Sequence, residues 1–144
     1  MSGPWYGRDS QRLRFERGAA KHFPTLRTRT TRNGSEAGRH YNVELVVPNY
    51  ENRRVHVLFR KANPRAPKVR ADGPANSPHR FGDGCLCIWW PRDTPEMCWV
   101  LEDGLVRLLG LIVAHLIREA WWRETGEWLG PEAPHQPDAS KAAA

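Results

Sequence analysis

The sequence predicts an α+β domain, and three observations carry that expectation. An arginine-rich segment with a modest apolar stripe opens the chain, and two runs of apolar–polar alternation occupy its middle. A long apolar stripe at three- and four-residue spacing follows. The alternating runs lie close enough in sequence to pair antiparallel, and the last stripe is wide enough to cover them. With 144 residues the chain is most simply one domain, expected over residues 1–135, with 136–144 a disordered tail.

Each element has its own local signature. Residues 1–7 read as an irregular lead-in. Asp9-Ser10 stands where an N-cap belongs, ahead of a helix predicted from Gln11 to His22 and stopped by Pro24. Leu13, Phe15, Ala19, Ala20 and Phe23 give it a moderate stripe. Arg27 to Arg39 is polar, with Asn33-Gly34 as its turn signal. Tyr41, Val43, Leu45 and Val47 then alternate with His40, Asn42, Glu44 and Val46, a half-buried strand ended by Pro48. Val55, Val57 and Phe59 alternate with Arg54, His56, Leu58 and Arg60, and the Pro48–Arg53 loop is short enough for a hairpin. Lys68-Val69-Arg70 makes a brief third strand after the Pro64–Pro67 turn.

Ala75–Gly84 has no periodicity and reads as an irregular loop, the kind of segment where functional residues concentrate. Glu102-Asp103 then caps a helix reaching to about Glu124, with Gly126 just past its end. Its stripe is Leu105, Leu108, Leu109, Ile112, Val113, Leu116, Ile117, Ala120 and Trp121. This face is expected to pack on a three-stranded meander.

Composition narrows the function classes. The net charge of +6 gathers in Arg8–Arg32 and Arg53–Arg70, which suits an acidic partner. Neither segment has the pattern of an RNA-binding sheet, a helix-turn-helix or a zinc finger, so nucleic acid is not expected as a partner. The apolar run Leu105–Ile117 is too short to cross a membrane and carries Arg107 and His115, so no membrane partner is expected. Three Cys, an odd number, and no secretory signal in the opening residues point to a reducing cytoplasm. The chain has seven Trp, and Trp89, Trp90, Trp121, Trp122 and Trp128 are among those close to or beyond the Cys region, suggesting a Trp-lined core or an exposed contact surface.

Cys87 is the residue the chain is arranged to present. It lies in His79-Arg-Phe-Gly-Asp-Gly84-Cys-Leu-Cys87-Ile-Trp-Trp90, where a Gly-rich loop enters a short apolar segment. A thiol there is a nucleophile if it is accessible and partly ionised, which nearby positive charge favours. A lone Cys is otherwise a small buried hydrophobe. Cys85, on the same side as Cys87 in an extended segment, is a back-up thiol. Cys85, Cys87, Cys98 and His79 could supply four metal ligands, but paired CxxC units are absent; no metal and no cofactor are expected.

The order helix, antiparallel meander, extended loop, Cys and long helix resembles the ubiquitin-conjugating-enzyme fold. Ser77-Pro78-His79 and Asp83-Gly84-Cys85-Leu86-Cys87-Ile88-Trp89 are similar to the corresponding run of prokaryotic members encoded beside ubiquitin-like proteins. The resemblance spans Tyr41 to His135 in layout and is close only over Ser77–Trp90. It departs in two places. His79 is followed by Arg80 and Phe81 where the family's His-Pro-Asn has its Asn, and no room remains after Gly130 for two further helices.

The resemblance implies a conjugating enzyme. Cys87 would accept a ubiquitin-like protein as a thioester from an activating enzyme, then pass it to an amine, that of a lysine, of a protein substrate. A deubiquitinase-like peptidase from the same operon would be a further partner, and the setting would be bacterial antiviral defence. Asp83 and His135 are candidates to take the amine proton, and His79 either pins the loop or moves a proton. Backbone amides near Cys87, Asn76 or His135 are candidates to replace the missing Asn as oxyanion donors. The alternative is a non-catalytic adaptor that binds ubiquitin-like proteins through its Trp-rich end.

Overall fold

In a computed structural model, which describes residues 3–74, 76–81, 83–88 and 98–129, four strands form one antiparallel sheet in sequential order. They are β1 (Arg27–Thr31), β2 (Gly38–Leu45), β3 (Arg53–Arg60) and β4 (Pro67–Ala71). Alternation decides which face is buried. Tyr41, Val43 and Leu45 of β2, Val55, Val57 and Phe59 of β3, and Val69 of β4 point into the core. Tyr41 stands opposite Val57, and Val57 opposite Val69, so the apolar positions form rows across the sheet.

The long helix α3 (Gly104–Thr125) covers this face with Leu105, Leu108, Leu109, Ile112 and Leu116. Fully burying such a side chain contributes about 1.5–3 kcal/mol, so the stripe outweighs helix propensity in holding α3 to the sheet. Gly126 closes the helix in the left-handed conformation, as the sequence predicts.

The amino-terminal part differs from the expected single helix. It is two short pieces, α1 (Asp9–Phe15) and α2 (Ala19–His22), separated at Gly18. Gly18 has φ 77°, a value that suits glycine and interrupts a helix. Asp9 lies inside α1 and pairs with Arg12 at 2.7 Å instead of capping it. Asp103 takes the N-cap position of α3, but its carboxylate accepts the Val100 N–H at 3.0 Å and leaves the helix amides alone. The lead-in is also ordered. Trp5 and Tyr6, in a short 3-10 turn, are buried core residues.

The meander has four strands rather than three. β1, Arg-Thr-Arg-Thr-Thr, is almost wholly exposed, so it carries no apolar alternation. Its Thr residues suit a strand, and its Arg residues suit an edge open to solvent. Among the described residues no helix is long and apolar enough to cross a membrane.

Candidate active site

The loop before Cys87 folds back on itself against β4. Leu86 N–H donates to the Val69 carbonyl at 2.8 Å, and Cys85 bridges Arg70, so this segment extends the sheet. Phe81 N–H donates to the Cys85 carbonyl at 2.8 Å and Gly84 N–H to the Phe81 carbonyl at 3.0 Å, closing a tight turn. Gly84 takes φ 85° there, which a side chain would strain. Cys87 N–H donates to the His79 carbonyl at 2.8 Å. That bond fixes where Cys87 leaves the turn, and it commits the Cys87 amide, one of the expected oxyanion donors.

The two loop thiols have different surroundings. Cys85 is buried, and Asp83 accepts its N–H at 3.0 Å and also hydrogen-bonds its thiol. Burial, then the Asp83 carboxylate, pushes the Cys85 thiol up from its ordinary range. Cys87 is only half-buried, and burial alone pushes its thiol up. The positive charge expected to favour its thiolate is therefore missing from the groups that shift it among the described residues.

Of the other expected site residues, His79 and Asp83 lie on this turn. His79 is buried; its N–H donates to Ser77 Oγ at 3.2 Å, and its ring lies 4.0 Å from the Trp128 ring and 6.3 Å from that of His115. Its main chain pins the loop. Asp83 is half-exposed, with Lys68 Nζ at 3.9 Å, and the Cys85 amide and thiol hold its carboxyl below the usual range. It thus engages Cys85. Asn76 is exposed. His135, the segment Trp89–Trp90 and the tail 136–144 lie outside the described residues. Among the described residues no group of three or more His, Cys, Asp or Glu is placed to hold a metal ion.

Sequence reasoning missed the pair that anchors the loop. Arg80 turns inward, and its guanidinium meets the Glu119 carboxylate of α3 twice, at 2.8 Å and 2.7 Å. Both side chains are 1% exposed. Arg80 also donates to the Ala71 carbonyl at 2.8 Å and the Asp72 carbonyl at 2.9 Å, and Arg123 reaches Glu119 at 2.9 Å. Burial pushes the Glu119 carboxyl up, but the two guanidiniums outweigh it and hold it below the usual range. The signal was present: Glu119 falls in register with the apolar stripe of α3, and a charge at a core position requires a partner.

Nearby, His115 is 2% exposed, and its Nε2 has no hydrogen-bond partner among the described residues. Burial pushes its pKa down to about 4.

Fold and loop together define an α+β domain that displays a cysteine from a hydrogen-bonded turn at its sheet edge. A family model described as E2-CBASS, Type II CBASS E2 protein, matches residues 10–136, and the chain belongs to that bacterial ubiquitin-conjugating-like family. Comparison with curated proteins and with solved structures gave no significant match.

Proposed function

We propose that this chain is a ubiquitin-like-protein conjugating enzyme: a single ubiquitin-conjugating-enzyme-like domain over residues 1–135 that acts in the bacterial cytoplasm in antiviral defence. The observation that carries the reading is the contrast between the thiols. The turn buries Cys85 against Asp83 and leaves Cys87 half-exposed at the end of the hydrogen-bonded loop. Membership of the E2-CBASS family supplies the reaction class.

In the first step the Cys87 sulfur attacks the thioester carbonyl that joins a ubiquitin-like protein to its activating enzyme. A C–S bond to Cys87 forms, the bond to the activating enzyme's sulfur breaks, and the proton passes to the departing thiolate. The acyl group is already activated, so the thiolate fraction of Cys87 is sufficient as the nucleophile once the partner docks. In the second step an amine of the protein substrate attacks. A C–N bond forms, Cys87 leaves as thiolate, and the amine proton goes to a base. Asp83 is engaged with Cys85, so His135 is assigned this proton, while His79 holds the loop. A deubiquitinase-like peptidase would reverse the product.

The test mixes the protein with its activating enzyme, ATP and the ubiquitin-like protein. A thiol-labile adduct is expected, abolished by Cys87→Ala and converted to a more stable oxyester by Cys87→Ser. No adduct in the wild type would leave the adaptor reading, and an adduct that survives Cys87→Ala but not Cys85→Ala would identify the wrong thiol. His135→Ala should load normally and discharge to lysine about 10²-fold more slowly.

A further inference from the structure

We infer that the buried Arg80–Glu119 pair positions Cys87 by locking the cysteine turn to α3. The inference rests on the proposed role of Cys87 and adds the residues through which the fold holds it. Arg80 is a positioning residue: its guanidinium bonds Glu119 and the carbonyls of Ala71 and Asp72, and its effect on Cys87 travels through the main chain.

The path is short, a run of hydrogen bonds joined by the His79–Arg80 peptide link. Glu119 holds Arg80 in two bonds, at 2.8 Å and 2.7 Å. The same guanidinium holds the carbonyls of Ala71 and Asp72, where β4 ends. Arg80 bridges Leu86 across the turn, and its preceding residue, His79, accepts the Cys87 N–H at 2.8 Å. Leu86 in turn donates to Val69 of β4. One planar fork therefore fixes the helix, the strand end and one side of the turn relative to one another, and Cys87 leaves from the other side. A point charge cannot do this. Lys at position 80 would keep the charge and lose the paired geometry.

Glu119 itself is held from both sides, since Arg123 one turn later reaches the same Oε1 at 2.9 Å. Two guanidiniums keep the carboxylate ionised although it is buried. Its charge matters to the loop because Arg80, also buried, has no other carboxylate within ion-pair distance among the described residues. Removing the charge at Glu119 while keeping its shape should therefore loosen Arg80, and the turn with it, without opening a hole in the core.

The experiment compares the full-length wild type with Arg80→Lys and Glu119→Gln. Hydrogen exchange is read at the amides of Cys87 and Leu86, with Val57 and Phe59 of β3 as the internal measure of global opening. In both variants the Cys87 amide should exchange about 10-fold faster relative to the β3 amides, a local loosening rather than a loss of fold. Adduct formation should lose about 10-fold in kcat with KM for the charged activating enzyme unchanged, because the sulfur is misplaced and docking is not. Wild-type protection at the Cys87 amide in both variants would overturn the inference, whatever the enzyme kinetics. If Arg80→Lys does not fold, the isosteric Glu119→Gln decides alone. The two readings fail separately: a wild type that forms no adduct removes the conjugating function, and only unchanged exchange removes the positioning role.

Discussion

The two ends of the sheet–helix sandwich are buried by different chemistry. At the α1 end, Trp5, Phe15, Tyr41, Phe59 and Trp99 meet edge-on or tilted, with ring centroids 4.5–6.1 Å apart. Trp99 also donates to the Gly104 carbonyl at 2.9 Å where α3 begins. At the cysteine end, the later turns of α3 meet the loop through Glu119, Arg80 and Arg123, beside the rings of His79, His115 and Trp128. Aromatic packing tolerates small adjustments, whereas a fork of charged hydrogen bonds fixes position. The fold thus places its stiffer contact beside the turn that carries Cys87, the residue proposed to form the thioester.

The largest effect expected from breaking this comparison is at the aromatic end. Phe59 is completely buried and touches four of the other rings. Phe59→Ala should cost about 3–5 kcal/mol in denaturant unfolding, the range for an aromatic cavity. In the fraction that remains folded, the rate at which Cys87 is alkylated by iodoacetamide should be unchanged. A slower or faster alkylation after correction for unfolding would mean that the two ends are not independent.

The sequence displayed the aromatic end only in part. Period-two alternation gave β2 and β3 because their inward residues are apolar, and the stripe from Leu105 to Leu116 gave α3 for the same reason. Trp5 and Tyr6 escaped because they lie before any periodic element and enter the core through a single turn. β1 escaped because an exposed edge strand has no face to mark. At the other end, Cys87 was legible as a residue, from its spacing to His79 and Gly84. Its support was not, because the contact between Arg80 and Glu119 crosses 39 positions of chain. Arg80 read as a departure from a motif, and only the folded chain gives it a partner.

Acid should expose the cost of the polar end. The unfolded chain takes up a proton at His115 near the ordinary 6.5, while the folded protein refuses it until about 4. Its contribution is therefore intact above pH 6.5, is lost as pH falls through that interval, and levels off below about 4. The loss amounts to about 3 kcal/mol for a shift of this size. Burial lowers His115, Glu119 partly opposes that, and His79, Arg80 and Arg118 reinforce it. Burial likewise lowers His40 and His56, which add to the acid sensitivity in the same direction. Unfolding free energies measured from pH 7 to pH 4 should fall, and His115→Leu should flatten the curve. A variant curve parallel to the wild type would assign the acid sensitivity to the other shifted groups, His40 and His56 and the depressed carboxyls of Glu36, Asp83 and Glu119.

The smallest effect expected, and the most local, is at Trp128. Its ring lies 4.0 Å from that of His79 and 5.4 Å from that of His115, so one side chain beyond the end of α3 closes over both imidazoles. Such ring pairs contribute about 0.5–1.5 kcal/mol beyond the area they bury, and Trp128→Ala should lower stability by little more than this at pH 7. The larger consequence is electrostatic. With the indole gone, water reaches His115, burial no longer opposes its protonation to the same degree, and its pKa rises from about 4 toward the ordinary 6.5. The acid-dependent loss of stability should shrink accordingly, so that the variant is slightly weaker at neutral pH but less acid-sensitive than the wild type. Titration of the His115 ring by NMR reads the shift directly. A ring that still titrates near 4 in Trp128→Ala would show that the sheet and α3 alone keep His115 dry, and that Trp128 serves the cysteine end only as a weight on His79.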